Sequence, residues 1–141
     1  MAFELHPQLA QDCVPIGNFP LCRLLLMNDA NYPWFILVPQ REGLREIHEL
    51  DENDLYLFSH ESVTLARALT VAFKPDKLNI AALGNLLPQL HIHHIVRYQN
   101  DPAWPAPVWG KLPALPYPAE RLNEVRLKIL ELLSETTFEP V

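Results

Sequence analysis

Short apolar runs separated by turn-forming residues dominate the first third of the chain. Leu21-Cys22-Arg23-Leu24-Leu25-Leu26-Met27 and Trp34-Phe35-Ile36-Leu37-Val38 flank Asn28-Asp29-Ala30-Asn31-Tyr32-Pro33, a pattern that predicts two strands joined as an antiparallel hairpin. Upstream, residues 4 to 12 predict a short helix, ended by the proline and glycine of Cys13-Val14-Pro15-Ile16-Gly17-Asn18. Beyond Pro39 the chain turns polar. Asp51-Glu52-Asn53-Asp54 then precedes Leu55, Phe58, Ser62, Leu65 and Leu69, whose three- and four-residue steps predict a helix from about 52 to 72 with acids at its amino end. Lys74-Pro75-Asp76 stops it. Leu78 to Leu83 reads as a third strand closed by Gly84-Asn85, and residues 89 to 97 as a fourth. Six prolines between Asp101 and Pro118 exclude a helix or inner strand there, but the interleaved Trp104, Trp109 and Tyr117 predict an ordered tract packed on the domain or on a partner subunit. A final amphipathic helix spans about 119 to 134, with Leu122, Val125, Ile129, Leu132 and Leu133 on one side.

Strands and helices without regular βαβ alternation predict an α+β fold, with a mostly antiparallel sheet of about five strands, a long crossing helix and a C-terminal helix. At 141 residues the chain suits a single core. Residues 1 to 110 are read as the main domain, with the proline-rich segment and last helix of 111 to 141 packing on it.

Composition narrows the functional classes. A formal charge of −6 argues against binding to nucleic acid polymers, which depends on clustered Lys and Arg. Residues 74 to 111 nonetheless hold Lys74, Lys77, Arg97 and Lys111 against only Asp76 and Asp101, together with three histidines, so a small anionic ligand is compatible with that region. Cys13 and Cys22 form neither a CxxC pair nor a secretory framework. The amino terminus, MAFELHPQLAQDC, has no basic segment leading into an apolar stretch, and no window approaches a membrane span, so the expectation is a cytoplasmic protein with no membrane partner.

The chemistry concentrates in Gln89-Leu90-His91-Ile92-His93-His94. Along an extended strand Gln89, His91 and His93 share one face, while Leu90, Ile92, His94 and Val96 share the other. Imidazole works as nucleophile, acid or hydrogen-bond donor near neutral pH, so such a face suits phosphoryl or nucleotidyl transfer. Arg97 joins that face only if the strand stays regular through it, and is read as a supporting charge. His6, His48 and His60 sit among polar neighbours and are read as solvated, without a role.

Asn79 to Arg97, NIAALGNLLPQLHIHHIVR, resembles the active-site strand of the histidine-triad (HIT) superfamily, whose signature is HxHxHxx with apolar x. Leu25-Leu26-Met27-Asn28 and Ile36-Leu37-Val38-Pro39 look like that family's first two core strands. The likeness is greatest to a bacterial subgroup with a PQLHxHH-like strand and a DPAWPxPVWG tail, seen here as Pro88 to His94 and Asp101 to Gly110. The resemblance implies that Gln89, His91 and His93 occupy the triad positions. His91 would attack an α-phosphate and carry a transient nucleotidyl group, and His93 would bind phosphate and help the leaving group. Gly84 and Asn85 would contact phosphate, Asn28 and Asn79 would line the nucleoside side, and Arg97 would support the site. It further implies a hydrolase or nucleotidyl transferase acting on a nucleotide or dinucleoside polyphosphate, without cofactor or metal, working as a homodimer.

Gln89 is the departure. An amide orients its neighbours by hydrogen bonds but exchanges no proton at pH 7, so an acidic leaving group suits the site better than an amine. Two other readings stay open: a catalytically weak nucleotide-binding or sensor module, and a cupin-like metal pair at His91 and His93. The second lacks the following carboxylate that such a site needs.

Overall fold

The computed structural model describes residues 3–141; Met1 and Ala2, the start of the amino terminus read above, lie outside the described residues. The elements run α1 (Pro7–Asp12), β1 (Cys13–Asn18), β2 (Cys22–Met27), β3 (Trp34–Pro39), a 3-10 turn at Ile47–Glu49, α2 (Glu52–Phe73), β4 (Lys77–Ala81), β5 (Ile92–Arg97), α3 (Ala119–Leu133) and β6 (Glu139–Pro140). The strands form one six-stranded sheet in the order β4-β5-β3-β2-β1-β6, with antiparallel pairing throughout. The fold is α+β, as the pattern predicts.

The predicted hairpin is β2 and β3, paired from Cys22↔Pro39 to Leu26↔Phe35. Helix α2 begins where Asp51 accepts the Asp54 N–H at 2.8 Å, with Glu52 and Asp54 in its first turn. It ends at Lys74, which adopts the left-handed conformation (φ 48°) just before Pro75. Its inward side chains Phe58, Leu65, Leu69 and Phe73 pack with Val125, Ile129 and Leu133 of α3 against Leu24, Leu26, Phe35, Leu37, Ile92 and Val96 of the sheet. Both long helices therefore cover one face. The opposite face carries Cys13, Leu25, Trp34, Ile36 and Ile95, and is covered by Leu9 of α1 and by Ala103 and Val108 of the proline-tryptophan tract.

Three expectations are corrected. The amino-terminal helix is only Pro7–Asp12, because Pro7 takes its first turn with His6 as the cap, leaving residues 4 to 6 outside it. Cys13–Asn18 does not merely end that helix. It forms β1, whose register shifts between Pro15 and Gly17, an irregularity that tolerates a proline and a glycine inside a sheet. Gly17 is required there, since the Phe138 ring and Glu139 carbonyl occupy the space of any Cβ. Lastly, the histidine strand starts at Ile92 rather than residue 89: Leu37↔Ile92 and Ala81↔His93 are the last ladder pairs, so Gln89 and His91 belong to the loop leading into β5.

Candidate active site

The pleat of β5 sends His93 to the α1 side of the sheet and His94 to the α2 side. His94 is fully buried. Its Nδ1–H donates to the Ile92 carbonyl at 3.1 Å, which leaves Nε2 to accept the Ser62 hydroxyl at 2.7 Å. Burial pushes its pKa down to about 4. His94 is thus a neutral core histidine behind the sheet.

His93 meets only one-way partners. The Trp34 indole N–H can only donate and does so to His93 Nδ1 at 3.0 Å; the Leu83 carbonyl can only accept, and takes the proton of Nε2 at 2.9 Å. The ring is a neutral imidazole protonated on Nε2. Burial is the main cause that brings its pKa to about 4.

His91 is held differently. Its Nδ1 lies 2.7 Å from the Gln89 carbonyl and must donate to it, so the Nε2 lone pair is left without a hydrogen bond among the described residues. Burial lowers its pKa, opposed by that bond and aided by the charge of His6. The two rings stand edge to face with centroids 5.0 Å apart. His91 therefore presents an unprotonated, aimed nitrogen near neutral pH, the state a nucleophile requires.

His91 borders two hollows. One is an open, mostly apolar cleft of about 510 Å³ walled by Met27, Trp34, Leu87, His93 and Trp109. The other is a polar niche of about 60 Å³ lined by Arg45, Asn85 and Gln89. Gly84 and Asn85 border both. Gly84 approaches so closely that a Cβ there would stand 2.8 Å from His91 Cε1 and 3.0 Å from the Leu87 carbonyl. Trp109 packs edge-on against both His93 and Trp34, with centroids 5.1 and 6.1 Å away.

The side chains of the other singled-out residues are engaged by partners away from the His91 ring. Gln89 turns its amide toward the amino-terminal segment, accepting from His6 N–H at 2.8 Å and donating to the Glu4 carbonyl at 2.9 Å. Arg97 is buried and paired bidentately with Asp101, and it also donates to Asn79 Oδ1 at 2.8 Å and the Ala106 carbonyl at 2.9 Å. Its guanidinium lies over the Tyr32 and Trp104 rings. Asp101 also accepts the N–H groups of Tyr98, Ala103 and Trp104; burial alone would raise its pKa, but these donors and Arg97 hold it below the usual range. Arg97 and Asn79 thus organise the proline-tryptophan tract. Asn28 Oδ1 accepts the Tyr117 N–H at 2.9 Å and fastens the following segment.

Sequence reasoning passed over Trp34, Asp101 and His6. Only the short DPAWP string hinted at Asp101, whose carboxylate gathers the turn after β5. Among the described residues no group of three or more His, Cys, Asp or Glu side chains is placed to hold a metal ion, so His91 and His93 find no third ligand of that kind.

Residues 8–100 match the family model described as the HIT domain. The chain belongs to the histidine-triad family. Solved HIT proteins resemble it over nearly their whole length. A histidine triad protein of Marinobacter aquaeolei VT8 shares 50% identity over 96% of this chain and 98% of its own, with a TM-score of 0.92. One from Bradyrhizobium japonicum shares 44% identity over 93% of this chain and 98% of its own, with a TM-score of 0.91. A HIT-like protein of Bartonella henselae, described as involved in cell-cycle regulation, shares the fold at 19% identity and a TM-score of 0.62 over 86% of this chain and 87% of its own. No curated protein matches the chain. No helix among the described residues of this HIT protein is long and apolar enough to cross a membrane.

Proposed function

We propose that this HIT protein binds a nucleotide in the cleft beside His91 and acts at its α-phosphate as a hydrolase or nucleotidyl transferase. The observation that carries the reading is the His91 Nδ1–H bond to the Gln89 carbonyl, which leaves Nε2 as an uncommitted lone pair at the cleft. Nε2 attacks phosphorus, an N–P bond forms, and the P–O bond to the leaving group breaks with its electron pair departing on oxygen. Water then cleaves the N–P bond, releasing the nucleoside monophosphate and restoring His91.

In this reading Gln89 holds the first triad position, His91 the middle and His93 the third. The direct phosphate contact expected of His93 gives way to a positioning role. Its Nε2–H anchors Leu83 and thereby the Gly84-Asn85 turn, whose backbone and Asn85 amide face the phosphate. Asn28, Asn79 and Arg97 act indirectly, by securing the segments that carry Tyr117, Trp104 and Trp109. Trp34 and Trp109 supply flat apolar walls suited to a base. A two-fold homodimer is part of the proposal by family likeness. The free, buried thiols of Cys13 and Cys22 are in keeping with a reducing compartment.

The committed nitrogens of His93 and the tethered amide of Gln89 leave neither side chain free to hand a proton to the leaving group. That favours leaving groups stable as anions, such as the second nucleotide of a dinucleoside polyphosphate, over amines. The same observation supports the second reading, a slow enzyme that serves as a nucleotide-binding module. Incubation with α-³²P-labelled dinucleoside polyphosphate followed by acid-labile adduct trapping tests the choice. The expected result is label on wild type and none on His91→Ala. Tight binding with neither label nor turnover selects the binding module.

A further inference from the structure

Among the described residues no Lys or Arg lines the cleft beside His91, although a polyphosphate would bring several negative charges to it. Arg97, the cation of the histidine strand, is spent on Asp101. Arg45 is the only Lys or Arg among the described residues that lines either hollow, and it shares the polar niche with His91 and Asn85.

The backbone brings it there. Leu90 N–H donates to the Leu44 carbonyl at 2.8 Å, which pins the start of the Arg45 segment to the residue before His91. Glu49 Oε1 accepts the N–H groups of both Arg45 and Glu46, each at 2.8 Å, and fixes the turn from which the Arg45 side chain leaves. The guanidinium itself is exposed, with no hydrogen bond or ion pair among the described residues. Gly84, Asn85, Leu87 and His91 line both hollows, so a nucleotide with its base in the cleft and its α-phosphate at His91 has the Arg45 niche beside its phosphates. Glu46 lines the same niche and opposes a free anion. The guanidinium therefore serves a phosphate tethered to a bound base better than one in solution.

We propose that Arg45 is a specificity residue of the active site, pairing its guanidinium with the phosphate next to the one His91 attacks, so that nucleoside polyphosphates are favoured over monophosphate esters. This deepens the nucleotidyl-transfer reading and rests on it. A guanidinium matches two phosphate oxygens with paired N–H groups and keeps its charge, so no proton moves in the contact. When the P–O bond breaks, that charge offsets the one gained by the departing phosphate.

The test compares wild type with Arg45→Gln, a substitution at an exposed site outside every helix and strand, expected to leave Tm unchanged. Both are titrated calorimetrically with α,β-methylene ADP, AMP and adenosine at low and high salt. Arg45→Gln should weaken the ADP analogue about tenfold or more, the usual loss for a hydrogen bond to a charged group, and AMP or adenosine by no more than about twofold. The analogue's affinity should also depend less on salt in the variant. Single-turnover labelling of His91 from subsaturating dinucleoside polyphosphate should slow by a like factor. An analogue that the wild type fails to bind, or binds no better than Arg45→Gln does, overturns the proposal, as does a loss shared equally by AMP or adenosine. Labelling at the same rate in both proteins overturns it while leaving nucleotidyl transfer standing. Arg45-dependent affinity for the analogue in a protein that never labels His91 upholds the contact and rejects covalent nucleotidyl transfer.

Discussion

The Trp34 indole N–H donates to His93 Nδ1 at 3.0 Å, and that bond decides which nitrogen of His93 bears its proton. With Nδ1 an acceptor, Nε2–H is directed at Leu83 and holds the turn before the nucleophile. Trp34→Phe preserves the ring and deletes the donor. The expected result is a loss of about 1 to 3 kcal/mol in denaturant unfolding and an upward shift of the His93 pKa from about 4 by NMR titration, since the lost bond favoured the neutral ring. An unmoved pKa would refute this tautomer assignment.

Gly84→Ala tests how tightly the nucleophile is placed. The added methyl would stand 2.8 Å from His91 Cε1 and 3.0 Å from the Leu87 carbonyl, so ring or loop must shift. Misplacement on that scale costs reactions about a hundredfold, and single-turnover labelling should fall by about that factor while Tm changes little. Labelling at the wild-type rate would mean the loop relaxes freely.

Acid should destabilise the fold before ordinary carboxylates titrate. The buried His93 and His94 are held near 4 against 6.5 unfolded, so between those values the unfolded chain binds more protons. Their contribution is complete above pH 6.5 and is lost as pH falls toward 4, at up to about 2.7 kcal/mol per pH unit for two protons. Glu61, whose pKa burial raises, opposes this in part. Urea midpoints from pH 7 to 4.5 check the sign; a midpoint that rises on acidification contradicts it.

Ser62→Ala removes the donor facing His94 Nε2 on the far side of the sheet. It should cost about 1 to 3 kcal/mol of stability and leave nucleotidylation of His91 unchanged. A marked loss of labelling would link the back of the sheet to the reaction.

Asp101→Asn strips the charge from the buried Arg97 pair and weakens the turn made by Tyr98, Ala103 and Trp104. Leaving a buried guanidinium uncompensated costs about 3 to 5 kcal/mol, and the loosened tract should raise KM through Trp109 more than it lowers kcat. Equal KM values would separate the tract from substrate binding.

Local physics made much of the molecule legible. The acidic start, apolar spacing and proline stop around residues 52 to 72 are properties of a helix with its neighbours, and α2 spans Glu52–Phe73. The β2–β3 hairpin and α3 follow for the same reason. Alternation along β5 also separated His93 from His94, because strand side chains alternate whatever lies beyond them, whereas His91 reaches its place from the loop before Ile92. β1 was hidden because Pro15 and Gly17 signal a break in a chain read alone. They become tolerable only beside β2 and β6, where a bulge absorbs them.

The sequence by itself determined which residue types stand on each face of β5. Tertiary structure alone decided what each could do, because a side chain's proton location and reach depend on partners distant along the chain. Trp34, 59 residues away, sets the tautomer of His93. Glu4 and His6, more than 80 residues away, engage the amide of Gln89. Arg97 is drawn from the site into the Asp101 turn because a buried guanidinium must find its acceptors where the folded backbone provides them.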